Sequence, residues 1–270
     1  MAEPKIGVIH YNFPDMDWLA FVDYCARTGF EYVEVAIADV WAPGTADPEA
    51  SARDARRQLE DRGLKASALS AGNDFLLLDE AAIAPQIERM KRICCDIAPA
   101  LGTDVIRTEG GWPKDEVSPE RYVEAISGCL RRCVGFIEPA GIRLALDNHG
   151  PVTNDADLQV RIFEAVGSPN VGANLDTMNY RWFGHDLATI DRFYEVIAPH
   201  VFHTHLKDGT GSREDYRGAA LGEGEIHLDR AVECLRAAGY DGAWCAEYEG
   251  PERDGGAGYA KCCQWMKANL

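Results

Sequence analysis

The sequence is short of several things, and each shortage removes a class of protein. It has no apolar run near the roughly 20 residues that a membrane-spanning helix needs. The opening MAEPKIGVIHYNF has no basic stretch followed by an apolar one, so no secretory leader is expected there. No GxGxxG follows the first apolar run, and no GKS or GKT follows any Gly-rich loop. A dinucleotide-binding sheet and a phosphate P-loop are both disfavoured. Basic residues are few, with 27 Lys and Arg against 44 Asp and Glu and a net charge of −17. Such a surface repels a phosphate backbone, so no nucleic-acid partner is expected. The nine cysteines are odd in number and lack paired zinc-knuckle spacing. They read as reduced thiols in or near the core, which fits a cytoplasmic location.

What is present is a repeat of small units. Eight short apolar, β-branched runs recur: IGVIHY, YVEVAI, LKASALS, DVIRT, IRLALDN, VGANLD, VFHTHL and AWCAEY. Between them lie amphipathic stretches that start near Asp or Ser and stop at Gly. The first follows Asp15 and Asp17, and AAIAPQIERMKRICCDIAPALG reads as one helix ending at Gly102. Strand–helix alternation with short links implies a parallel sheet covered on both faces. Eight repeats in 270 residues favour a closed (β/α)₈ barrel, one TIM-barrel domain over residues 1–270.

In such a barrel the chemistry gathers at the C-terminal strand ends. The last four runs each deliver a metal-competent group there: Asp147, Asp176, His205 and Glu247. Three carboxylates and one imidazole suit a hard divalent ion, Mn²⁺ first, then Mg²⁺ or Co²⁺, with Zn²⁺ also possible. An isolated Asp at a strand end is more often a helix cap, and an isolated His more often structural. Four consecutive strands carrying such residues at the same end shift that balance. Around the four, His149 and Lys207 lie two residues beyond Asp147 and His205 and share their faces in a strand. Arg107 and Glu109 alternate at the end of the fourth run, and Asn179 and His10 complete the substrate-contact candidates. Glu34 is a weaker candidate. Trp112, Trp41 and Phe13 fall in loops where aromatic faces can line a sugar pocket. LGEGEIHL is expected to shape the rim after the seventh strand.

The stretches GFEYVEV, LKASALSAGND, RLALDNHG, VGANLDTMN, HTHLKDG, LGEGEIHL and GYDGAWCAEYEG resemble the sugar-phosphate isomerase/epimerase family, the xylose isomerase-like barrels. They run through nearly the whole chain in the family's order. The resemblance implies a metal-dependent sugar isomerase or epimerase acting on a small carbohydrate. Proton abstraction beside a carbonyl would give an enediolate, with Asp147, Asp176, His205 and Glu247 as metal ligands. Glu247 is the first choice for general base and Asp147 the second. Two residues depart from the family pattern: the usual Glu is Asp147, and a frequent His is Asn179. These keep a lyase or dehydratase of an oxidised sugar, glycoside or cyclitol as the alternative. A barrel endonuclease would need a His-rich zinc cluster, and this chain has seven His in all. A nonenzymatic sugar- or metal-binding subunit is the remaining alternative. A homo-oligomer, dimer or tetramer, is the expected assembly, and a different partner subunit is left open.

Overall fold

The computed structural model describes residues 3–13 and 16–270. Eight parallel strands close a barrel: β1 (Lys5–Ile9), β2 (Tyr32–Ala36), β3 (Lys65–Ser70), β4 (Val105–Thr108), β5 (Arg143–Asp147), β6 (Val171–Asp176), β7 (Val201–Leu206) and, last in the chain, β10 (Ala243–Ala246). Each neighbours its sequence predecessor, and β10 closes the ring against β1. All eight expected runs are strands of this barrel. Their near-continuous apolar character follows from burial on both faces.

The outer layer holds the helices α1 (Trp18–Thr28), α3 (Pro48–Glu60), α4 (Glu80–Arg92), α6 (Tyr122–Ala140), α7 (Ala156–Val166), α9 (Leu187–Ile197), α10 (Leu228–Ala237) and α11 (Ala257–Asn269), with short α2 (Ile37–Val40), α5 (Ala98–Leu101) and α8 (Asn179–Phe183) between. Asp17, Asp47, Asp79, Asp155 and Asp186 each cap a helix, accepting the backbone N–H three residues on. Each such cap contributes about 1 kcal/mol. The expected start at Asp15 lies outside the described residues.

Two details depart from the sequence reading, the helix before Gly102 and a hairpin on the rim. The single helix expected before Gly102 is α4 and α5 joined through a wider π turn, Ile93–Ile97. Helix α6 ends at Ala140, with Gly141 taking the left-handed turn at its end, as expected from Pro139–Gly141. A small antiparallel hairpin, β8 (Asp208–Thr210) with β9 (Arg217–Ala219), stands on the rim after β7. All nine cysteines are free, and all but Cys95 are buried. Among the described residues no helix is long and apolar enough to cross a membrane.

Candidate metal centre

The register of the barrel decides which strand-end residues can meet. Asp176 on β6 stands level with His205 on β7, and Cys245 on β10 is level with that same histidine. Asp147 stands level with Asn174, two residues below Asp176. The shear of a closed barrel therefore places Asp147 one layer deeper than Asp176 and His205. Asp176, His205 and Glu247 are all buried, and each offers one ligand atom within 4.8 Å of the other two.

Two atoms of these side chains lie outside hydrogen-bond geometry, Asp176 Oδ2 and His205 Nδ1, although Lys207 Nζ is 2.9 Å from the first and Glu247 Oε2 3.0 Å from the second. The other atoms of the same side chains are fully engaged. Asp176 Oδ1 accepts the backbone N–H groups of Met178 at 2.8 Å and Asn179 at 2.9 Å, at the start of α8. Asp176 thus caps a helix with one oxygen and turns the other toward Lys207. His205 Nε2 lies 2.6 Å from Glu34 Oε2. With Nε2 given to Glu34, Nδ1 is the ring atom that faces Asp176 and Glu247, 3.0 Å from Glu247 Oε2. A carboxylate behind a ligating imidazole is the usual way its tautomer is fixed. Buried polar atoms outside hydrogen-bond geometry are rare, and two at one point, held only by ion pairing, make a candidate cation site.

Lys207 lies among these acids. Its Nζ is 2.9 Å from Glu247 Oε1 with hydrogen-bond geometry, and 2.9 Å from Asp176 Oδ2 without it. Glu249 Oε2 is 3.7 Å from the same ammonium and accepts the Tyr216 hydroxyl at 2.7 Å. Burial pushes the Asp176 carboxyl up, against the pull of Lys207. Burial also opposes ionisation of Glu247, but Lys207 and His205 outweigh it and hold that carboxyl well below its ordinary range. For His205, burial works against the imidazolium, and Glu34 and Glu247 overcome it, pushing the group up to about 10. The cluster favours positive charge among its acids.

Asp147 is engaged elsewhere. Its Oδ2 accepts from Arg107 Nε at 2.9 Å and from Arg107 Nη2, and its Oδ1 accepts from Asn174 Nδ2 at 2.7 Å. Arg107 also donates from Nη1 to Ser70 Oγ and Glu109 Oε1, both at 3.0 Å. A glutamate at position 147 would be one methylene, about 1.5 Å, longer and could rise toward the upper layer. A second group, Glu34, His203 and His205, also has metal-ligand spacing. There the atoms are already satisfied: His203 Nδ1 meets Asn174 Oδ1 at 2.8 Å, and Nε2 meets Ser67 Oγ at 3.1 Å.

Above the cluster opens a cavity of 320 Å³ whose lining includes His10, Arg107, Glu109, His149, His205 and Glu247. His10 Nδ1 lies 2.9 Å from both oxygens of Asp39, and its ring stacks on Phe21 at 4.2 Å. Lys207, Asn179 and His149 line a smaller compartment beside it. Of the three loop aromatics, Trp112 lines that compartment. Trp41 is covered by Arg89 and Arg92, and Phe13 is buried against Tyr259. Asn174, Asp39 and Glu249 join the site only in the structure. The period of two along VGANLD places Asn174 on the same face as Asp176, a signal that was available. Nothing local joins Asp39 to His10, 29 positions apart.

The LGEGEIHL stretch is held by a single side chain. Asp208 accepts four backbone N–H groups, from Gly209, Gly222, Gly224 and Ile226, at 2.8 to 3.2 Å. A Cβ at residue 224 would collide with the Asp208 carboxylate, which explains the glycine.

Closed barrel and acid-lined mouth together define a (β/α)₈ barrel with a candidate site for a hard cation at its C-terminal face. The chain belongs to the xylose isomerase-like TIM-barrel family, the match running over residues 22–269. It is 24% identical over 238 residues to an inosose isomerase from Halalkalibacterium halodurans, covering 86% of this chain and 82% of that protein. Its fold is similar to that of the IOLI protein with a bound zinc atom, with a TM-score of 0.77 at 21% identity, over 98% of this chain and 96% of that one. It is also similar in fold to the 3-keto-D-glucoside 4-epimerase of E. coli, with a TM-score of 0.78 at 16% identity, over 98% and 100% of the two chains.

Proposed function

We propose that this chain is a divalent-metal-dependent sugar isomerase or epimerase that removes a proton beside a substrate carbonyl. One observation carries the reading: Asp176 Oδ2 and His205 Nδ1, buried and held by ion pairing without hydrogen-bond geometry, converge with Glu247 beneath a 320 Å³ cavity. Asp176, His205 and Glu247 are the proposed holders of the cation. Asp147 is proposed chiefly as the fixed counter-charge of Arg107, since both its oxygens already accept N–H donors. The oxygen-rich set favours Mn²⁺, with Mg²⁺, Co²⁺ and Zn²⁺ in the same panel. A bound cation supplies positive charge at the carbonyl oxygen and so acidifies the adjacent C–H.

The chain's own residues do the rest. Glu247 is the proposed general base, because it lines the cavity and its carboxyl stays ionised beside Lys207 and His205. Lys207 holds that carboxylate in place and supplies a donor for a substrate hydroxyl. Arg107, Glu109 and His149 are proposed hydroxyl contacts around the wall. At His10, both Asp39 oxygens face Nδ1, which leaves Nε2 as the ring atom for substrate on the cavity's other side.

The His10–Asp39 pair also favours a second reading, a lyase, because it stands apart from Glu247 as a second group that can give a proton to a departing β-group while Glu247 takes the α-proton. Incubation of a keto-sugar panel in D₂O with Mn²⁺ separates the two. Deuterium incorporation without loss of a group supports isomerisation, and an unsaturated product supports the lyase. No exchange with any substrate and any of the four metals overturns both.

A further inference from the structure

Beside the metal-side cavity lies a compartment of 130 Å³ lined by Trp112, Trp182, His149, Asn179, Lys207 and Glu249. His149 and Glu249 line both spaces, so the two are continuous along one wall. Three features of the smaller one are unexplained by the metal site. Trp112 is 54% exposed, and its edge lies against residue 150, where a Cβ would sit 3.7 Å from the indole. Its ring stands edge-on to His149, with centroids 6.1 Å apart at 85°. An exposed indole held in one attitude at a cleft marks a binding surface. Trp182 is backed by the guanidinium of Arg213, 5.0 Å from its ring centre. Asn179 is 94% buried by its 6% exposure, and its Nδ2 has no hydrogen-bond partner.

We infer that this compartment is a subsite for a second sugar ring, so that the substrate is a glycoside or disaccharide and not a free monosaccharide. The inference rests on the proposed function for the placing of the reacting ring. A pyranose has C–H faces to lie on indole rings and a ring oxygen and hydroxyls to accept from Asn179. By volume the compartment alone matches about four waters, less than a pyranose displaces, so a second ring would seat one face there and share the adjoining 320 Å³ cavity, with no room for a longer chain. A phosphorylated sugar does not fit the charge. Lys207 is already shared between Asp176 and Glu247, and Glu249 adds a further negative group.

The two tryptophans make the test direct. The Mn²⁺-loaded protein is titrated with glucose, methyl glucoside, cellobiose, maltose and trehalose, followed by tryptophan fluorescence and calorimetry. At least one disaccharide is expected to bind roughly tenfold more tightly than glucose. Trp112→Ala, an exposed position that spares the fold, should erase that preference while glucose affinity and Mn²⁺ stoichiometry stay unchanged. Asn179→Ala should reduce it. Equal affinity for glucose and every disaccharide, or a preference that survives Trp112→Ala, overturns the subsite. Mn²⁺ content is read on the same samples. A disaccharide preference without bound metal would sink the metal reading alone, and bound metal without the preference would sink the subsite alone.

Discussion

The two ends of the barrel make an instructive pair. At the N-terminal end a cavity of 410 Å³, larger than the one at the mouth, is lined by Tyr32, Arg56, Glu60, Lys65 and their neighbours. Its charges are solvated, and Arg56 is satisfied by Glu60 one helical turn away at 2.7 Å. The mouth is smaller but holds Asp147, Asp176, His205, Lys207 and Glu247, all buried, with polar atoms outside hydrogen-bond geometry among them. Volume is thus a poor guide to chemistry. What separates the two ends is desolvated charge, which is costly unless something binds it.

Several substitutions would break or sharpen that contrast. The largest effect is expected for His205→Ala, which should weaken Mn²⁺ binding on the order of 100-fold or more, as read by metal analysis after dialysis. Retained metal would remove the site as drawn. Next, Arg107→Ala leaves Asp147 buried without its cation and should cost about 3–5 kcal/mol in denaturant unfolding. An unchanged midpoint would mean the pair is not a structural element of the mouth. Third, Glu34→Gln keeps the shape but weakens the hold on His205 Nε2, and roughly 10–100-fold lower Mn²⁺ affinity is expected with the fold intact. Asp147→Asn distinguishes two roles for that residue. It should lower stability by about 1–3 kcal/mol yet keep one Mn²⁺ per chain, and loss of the metal would make Asp147 a ligand. Smallest of all, Arg56→Ala at the other end should move stability by no more than about 0.5 kcal/mol and leave metal content untouched. A change in metal or turnover there would erase the distinction between the ends.

The barrel was legible because each parallel strand, buried on two faces, leaves a short apolar run, and because Asp and Gly punctuate the helices between. The strand-end acids were legible for the same reason, since a run's end can be read directly. Their grouping was not, because it depends on barrel shear. Asp147 ends β5 as clearly as Asp176 ends β6, yet only register shows it level with Asn174 and within reach of Arg107. The partner of His205 is Glu34, 171 positions earlier, and no local pattern joins them. The hairpin on the rim escaped because its strands are three residues long and mostly polar. The π turn escaped because its apolar spacing barely differs from a helix.

The Asp208 carboxylate has a consequence for how this molecule can change over time. It pins both ends of the rim segment, at Gly209 on one side and at Gly222, Gly224 and Ile226 on the other. Lys207, next in the chain, is thereby fixed from its own flank. Between those pins the hairpin tip around residues 212–215 tolerates insertion, as surface loops do, provided Tyr216, which holds Glu249 beside Lys207, and Arg213, which backs Trp182, are kept. One side chain divides a fixed floor from an adjustable rim, so what enters the mouth can change while the metal-side chemistry stays as it stands.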